Sequence, residues 1–383
     1  MKRLLSLVMV LGLLAAVPVP GALAAEQEIP GKNALLMDIA TGKVLFEKNA
    51  REALAPASVT KVMTMLLIME AIDSGSLGWD DTVTASEAAA AKGGSQIYLK
   101  VGETMSVADM VKSIAVSSAN DCACAMAEHI AGSEAAFVEK MNQRAAELGM
   151  ENTHFVNCTG LDDSEDAKNH LTSAYDIALM SRELLKYHPD LLKYTTIWMD
   201  TVRNGQFGLS NTNKLIRFYP GATGLKTGFT SGAGYCLSAS AERDGLGLIA
   251  VVMGCETSAQ RFTACKSLLD QGFAAYTLVK PEIPEAQVSV KLGLQPQVRA
   301  VPAEDPQLLL DKSQKALIET QVALELGVDA PVSKGQRLGT LTVTAGGQTL
   351  AQIPLVAEEA VPRLTFGQIF LKLLRRVAMA AES

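Results

Sequence analysis

From Val62 to Ile72 only Thr64 and Glu70 interrupt an apolar run. A helix that is apolar almost all round has to be buried, and this one is too short to cross a bilayer. The chain therefore folds around a central helix, which in turn requires a domain large enough to enclose it. With 383 residues, 48% hydrophobic and 20% charged, the chain has material for such a core and for a second domain. Pro56-Ala57-Ser58 opens the helix, so its first turn carries Ser58, Thr60 and Lys61.

The segments around this helix suggest the rest of the domain. Asn33 to Asn49 reads as a hairpin, with its turn at Asp38 to Gly42. Residues 77–200 are mainly helical, with examples at Val107 to Ile114, Cys122 to Ile130 and Ser133 to Leu148. Strands return at Tyr235 to Ala241 and Leu246 to Met253, and Arg261 to Leu278 reads as a final helix. Strands at both ends with helices between them predict an α+β domain over residues 25–279, a sheet covered by helices with one helix inside.

The pattern changes at Pro281-Glu282-Ile283-Pro284. Short alternating runs separated by turn signals follow, and predict a small β-sandwich over residues 280–356. Within the last segment, 357–383, Phe366, Ile369, Phe370, Leu373, Leu374 and Val377 share one helical face, with Lys372, Arg375 and Arg376 off it. Such an amphipathic helix suits a membrane surface; the plainer reading is a helix packed on the protein itself.

Lys2 and Arg3, the apolar run Leu4 to Val17 and the small-residue site Ala22-Leu23-Ala24 read as an export signal over residues 1–24. Its removal leaves 32 basic and 41 acidic residues, a balance that argues against a nucleic-acid partner. Six cysteines, Cys122, Cys124, Cys158, Cys236, Cys255 and Cys265, show neither a CxxC nor a His/Cys metal pattern, and read as buried thiols. Nothing in the chain asks for a metal or a cofactor.

Three short motifs bear chemistry. Ser58 and Lys61, three residues apart at a helix start, share a face. A serine becomes a nucleophile when a base lies within hydrogen-bond reach, and a lysine serves as that base when burial and a helix N-terminus lower its pKa. Ser118-Ala119-Asn120 precedes the helix from Asp121, where a hydroxyl and an amide face outward from a turn; taken alone, the pair reads as a helix cap by Asn120 or Asp121. Lys226-Thr227-Gly228 opens the late strands, where a lysine and a hydroxyl suit a carboxylate and the glycine admits a close backbone; taken alone, it is a strand-end lysine in solvent.

In that order, S-x-x-K, S-x-N and K-T-G form a constellation that each motif alone does not. With Pro56-Ala57-Ser58-Val59-Thr60-Lys61, Ser118-Ala119-Asn120-Asp121, Thr153-His154-Phe155, Asn211-Thr212-Asn213, Gly224-Leu225-Lys226-Thr227-Gly228 and Ala233-Gly234-Tyr235, the sequence resembles a low-molecular-mass penicillin-binding protein of the serine D-alanyl-D-alanine carboxypeptidase family. The resemblance spans nearly the whole mature chain. It implies a β-lactamase/transpeptidase-like domain, a β-domain and an amphipathic membrane anchor.

The resemblance also implies roles. Ser58 attacks the carbonyl between two D-alanines and forms an acyl-enzyme, Lys61 takes its proton, and Ser118 passes a proton to the leaving D-alanine. Asn120 positions the acyl chain, and Lys226, Thr227 and Arg261 meet the terminal carboxylate. The backbone N–H groups of Ser58 and Phe229 form the oxyanion hole. The implied substrate is a peptidoglycan pentapeptide, with β-lactams as covalent inhibitors, at the outer face of the cytoplasmic membrane.

Other readings have less support. A class A β-lactamase needs a glutamate-bearing loop, and Gly160 to Ala178 offers Glu165 without an E-x-x-L-N pattern. A Ser-His-Asp hydrolase lacks a G-x-S-x-G elbow, so His129, His154, His170 and His188 read as core or surface residues. A metallopeptidase lacks H-E-x-x-H. An endopeptidase on the same fold stays open, and a non-catalytic wall-binding protein would be expected to have lost some of these side chains.

Overall fold

The computed structural model describes residues 28–380; the leader read over 1–24 lies outside them. A five-stranded antiparallel sheet organises the first domain. Strands β1 (Asn33–Asp38) and β2 (Val44–Lys48) form the early hairpin, and β3 (Ala222–Thr230), β4 (Gly234–Arg243) and β5 (Leu246–Cys255) complete the order β2-β1-β5-β4-β3.

The central strands explain why both faces need cover. Side chains alternate across a strand, and in β1 every residue is buried. Leu35 and Met37 face one core and Ala34 and Leu36 the other; β5 divides Ile249, Val251 and Met253 from Leu248, Ala250 and Val252 in the same way. On the first face lie helices α1 (Lys61–Asp73), α2 (Val107–Ser117), α3 (Asn120–Ala131), α4 (Glu134–Glu147) and α5 (Ala174–Tyr187). On the second lies α6 (Ser258–Ala275), through Ala264, Cys265, Leu268, Leu269 and Phe273. As its apolar run requires, α1 is buried from Lys61 to Leu66 and again at Ile68 and Met69.

Both ends of the final helix differ from the sequence reading. The final helix runs from Ser258 to Ala275, not from Arg261 to Leu278. Thr257 and Gln260 form a capping box that starts it earlier. Its expected last turn is instead a strand, Tyr276–Val279, paired antiparallel with Leu308–Asp311. Leu309 on that partner packs into the second-face core, so the two domains share this seam.

The second domain is a six-stranded ladder, in the order Ile318–Leu324, Arg337–Ala345, Gln348–Ala357, Gln297–Pro302, Gln287–Lys291, Val328–Asp329. Val288, Val298, Leu338, Leu341, Val343 and Leu355 form its core. That core reaches past residue 356, because Val361 is fully buried in it and bridges to Val332. Helix α7 (Phe366–Ala380) therefore begins only at Phe366, not at 357. Phe366, Phe370, Leu373 and Leu374 on it are exposed. Among the described residues no helix is long and apolar enough to cross a membrane. All six cysteines are buried and none is in a disulfide.

Candidate active site

Ser58 and Lys61 do not share one regular helix. Ala57–Thr60 is a 3-10 turn, and α1 proper starts at Lys61. The tighter turn places Lys61 Nζ 2.9 Å from Ser58 Oγ. The same nitrogen donates to the Thr159 carbonyl at 2.7 Å. Burial drives the lysine down from its ordinary 10.5 to about 7, against the pull of nearby Cys158 and Asp121. A lysine in that state exists at neutral pH partly as the free amine and accepts a proton from a serine it touches.

Thr159 lies in a loop whose shape is fixed from within. Asn157 Oδ1 accepts from the backbone N–H groups of Thr159 and Gly160 at 3.1 and 2.7 Å, and the Cys158 carbonyl accepts from Thr64 Oγ1 at 2.6 Å. The Glu134 carboxylate accepts from Cys158 N at 3.2 Å and from Lys92 Nζ at 2.6 Å. Although burial opposes ionisation, Lys92 and then Cys158 hold the Glu134 carboxyl below its usual range.

The second motif sits where α2 gives way to α3. Ser118 is buried in the left-handed region, with φ +63°, and joins the two helices. The expected cap is absent: Ala119 occupies that position, without a side-chain bond. Asp121 instead reaches outward, accepting from Ile97 N at 3.1 Å and Leu99 N at 3.0 Å, so its carboxylate anchors the loop that faces the site. Asn120 Nδ2 donates to the Gly93 carbonyl of that loop at 2.7 Å, while its buried Oδ1 has no protein partner. A buried amide oxygen left open in this way is a ready acceptor for a ligand N–H.

Strand β3 brings in the third motif. A Cβ on Gly228 would lie 2.6 Å from the Pro56 carbonyl and 3.1 Å from Ser58 N, so only glycine lets the strand lie against the turn. Thr227 Oγ1 donates to Thr212 Oγ1 at 2.7 Å, and Thr212 N donates to the Val116 carbonyl at the end of α2. The strand is thereby tied to the segment that presents Ser118. Asn213 Nδ2 holds the Gly224 carbonyl at 2.8 Å, and Asn211 braces the same turn. Lys226 is fully buried, with Nζ on the Thr227 carbonyl at 2.9 Å. Burial, followed by the charges of Lys61 and Arg261, pushes it well below its ordinary range.

Arg261, at the start of α6, donates through Nη1 to the Gly228 carbonyl at 2.9 Å and to the Cys236 carbonyl at 3.4 Å, while its Nε is buried without a partner. Phe229 is 52% exposed and stacks on Tyr235 with ring centroids 4.2 Å apart. Lys61, Lys226 and Arg261 thus lie close together around the Ser58 turn and strand β3.

Comparisons with known proteins show the family. A family model described as D-alanyl-D-alanine carboxypeptidase matches residues 21–257, and one described as the C-terminal domain of penicillin-binding protein 5 matches residues 273–363. D-alanyl-D-alanine carboxypeptidase DacF of Bacillus subtilis is 43% identical over 380 residues, covering 96% of each chain. The chain belongs to the D-alanyl-D-alanine carboxypeptidase family. Among solved structures, penicillin binding protein 5 from Haemophilus influenzae is 30% identical with a TM-score of 0.75, over 88% of this chain and 98% of that one. Penicillin-binding protein D2 from Listeria monocytogenes, in its ampicillin-bound form, is 33% identical with a TM-score of 0.59, over 64% of this chain and 99% of that one.

Sequence reasoning passed over several groups that shape this family site. Thr159 contributes a backbone carbonyl, which any residue type supplies, so no sequence signal marks it. His170, read as a core or surface residue, has its ring nitrogen 2.8 Å from Thr60 Oγ1, next to the serine turn. Asn211 and Asn213 stood within a quoted motif, and their part here is to hold backbone rather than substrate.

Proposed function

We propose that Ser58 is the acylated nucleophile of a D-alanyl-D-alanine carboxypeptidase that removes the terminal D-alanine from peptidoglycan peptides. The observation that carries this reading is the 2.9 Å contact between Ser58 Oγ and a Lys61 amine lowered to about 7.

The groups gathered here support the following steps. Lys61 takes the Ser58 proton as Oγ adds to the carbonyl of the penultimate D-alanine. The oxyanion rests on the N–H groups of Ser58 and Phe229; one preorganised donor of this kind is worth roughly 100- to 1,000-fold in rate. Collapse breaks the C–N bond, and the proton passes from Lys61, by way of Ser118, to the leaving amine. Water then adds to the ester with Lys61 again as base, which restores Ser58 and frees the shortened peptide. The substrate's terminal carboxylate sits among Lys226, Thr227 and Arg261, and an acyl-chain N–H meets Asn120 Oδ1. A β-lactam presents an equivalent carbonyl and carboxylate; Ser58 Oγ adds to that carbonyl, the ring C–N bond breaks, and the amine stays tethered, so the acyl-enzyme persists.

We also infer that the protein is exported by the leader over residues 1–24 and rests on the outer face of the cytoplasmic membrane through α7. Support for the second point is the exposed apolar row Phe366, Phe370, Leu373 and Leu374, with basic residues along the same helix.

A labelled penicillin tests the nucleophile. Stable label on the peptide containing Ser58, and none on Ser58→Ala, is the expected result. Label at another residue would overturn the assignment.

A further inference from the structure

We infer that His170 and Thr60 act together as positioning residues, holding the turn that presents Ser58 from a loop far along the chain. The inference rests on the reading of Ser58 as nucleophile.

The hydrogen bonds leave a single arrangement of protons. Val156 N donates to His170 Nδ1 at 3.1 Å, and a backbone N–H has no other role, so Nδ1 is the acceptor nitrogen. Thr60 Oγ1 lies 2.8 Å from the Ala57 carbonyl, which only accepts, so the threonine proton points there. Between His170 Nε2 and Thr60 Oγ1, 2.8 Å apart, the remaining donor is therefore the imidazole N–H. The chain runs in one direction: Val156 N–H to His170, His170 N–H to Thr60, Thr60 O–H to the Ala57 carbonyl. A neutral imidazole fits it, and burial, aided by the charges of His154 and Lys61, holds His170 down at about 4.

What the chain ends on gives it a function. Ala57 immediately precedes Ser58 and has φ +48°, in the left-handed region that residues with a Cβ adopt only against steric resistance. The residue is held there from two sides. Thr60 caps its carbonyl, and Gly160 packs so tightly that a Cβ would lie 1.8 Å from the same oxygen. The conformation at Ala57 sets the direction of both the Ser58 N–H and the Ser58 side chain. Were the carbonyl released, the turn would relax, and the nucleophile and the oxyanion donor would shift together. His170 is 3% exposed and Thr60 fully buried, so neither touches substrate; their effect passes through the turn. The Phe155 ring, edge-on at 5.7 Å, keeps the imidazole in plane.

The test compares Thr60→Val, Thr60→Ser, His170→Leu and the double variant Thr60→Val/His170→Leu, each in the full chain. Penicillin acylation is followed over a concentration series, which separates initial binding from the acylation step, and thermal unfolding is recorded alongside. The expected result is an acylation rate about 10- to 100-fold lower for Thr60→Val and His170→Leu, as for other small misplacements of reacting groups, with initial binding nearly unchanged. Thr60→Ser, which keeps the hydroxyl, should restore the rate. The double variant should be no slower than the worse single one, since both cut one chain. A folded Thr60→Val protein that acylates within about twofold of wild type would overturn the inference, as would full additivity of the two losses. Should His170→Leu fail to fold, the Thr60 pair decides alone, because Val and Ser bracket the hydroxyl without changing the loop. Wild-type protein that takes no label at Ser58 would sink the nucleophile assignment instead, so the two failures are distinct.

Discussion

Lys61 Nζ donates at 2.7 Å to the carbonyl of Thr159, 98 residues further along the chain, while it lies 2.9 Å from Ser58 Oγ. The lysine is thus aimed by backbone from a distant loop. A fully buried amine held in this way, at about 7, has a rate consequence with a definite sign. With its neutral form as the proposed base, the rate constant for acylation should rise about tenfold per pH unit below 7 and level off above it. Lys61→Arg, which stays protonated, should lower that rate by about 100- to 10,000-fold on the plateau above pH 7, and by progressively less below it as the wild type loses its own free amine. Acylation by penicillin across pH 5 to 9, done by stopped flow, checks both; a flat profile would remove Lys61 from the role of base.

Burial, and then the charges of Lys61 and Arg261, hold Lys226 well below its ordinary range, and Arg261 Nε has no partner. A carboxylate arriving among them supplies the missing negative charge. A substrate amidated at its C-terminus should lose about 10- to 150-fold in kcat/KM, the worth of roughly 1.5–3 kcal/mol for a hydrogen bond to a charged group. Arg261→Ala should reproduce most of that loss on the acid and little of it on the amide. Equal losses on both peptides would mean that Arg261 serves only to hold the Gly228 and Cys236 carbonyls.

Gly160 has φ +80°, and a Cβ there would meet the Ala57 carbonyl at 1.8 Å. Gly160→Ala should therefore destabilise the fold by about 2–4 kcal/mol, combining overpacking with left-handed strain. It should also slow acylation, although the glycine contacts no substrate. Thermal unfolding and penicillin labelling measure the two effects; a stable, fully active variant would show that the loop yields easily.

Deletion of residues 365–383 removes α7, whose Phe366, Phe370, Leu373 and Leu374 are exposed and form no part of either core. The shortened protein should keep its activity on a soluble tripeptide and lose co-sedimentation with anionic lipid vesicles. Continued binding to vesicles would place the membrane contact elsewhere.

Much of the fold could be read from the sequence because it rests on periodicity and composition. The apolar run of α1 announced a buried helix, and the alternating segments after Pro281 announced a small β-domain, read as a sandwich. Elements whose state depends on a distant partner were harder to read. Tyr276–Val279 continues a helical pattern in sequence but pairs with Leu308–Asp311, and no local signal names that partner. The site divides along the same line. Side-chain chemistry at Ser58, Lys61, Asn120 and Lys226 stands out in short motifs, whereas the Thr159 carbonyl, the φ of Ala57 and the outward reach of Asp121 arise only once the backbone has closed around them.

The most direct test of the central claim is release of free D-alanine from diacetyl-Lys-D-Ala-D-Ala by the purified protein, with Ser58→Ala beside it. Steady release by the wild type and none above background by the variant is the expected outcome. Release that persists in Ser58→Ala, or no release by a wild-type protein that is folded, would contradict the carboxypeptidase assignment.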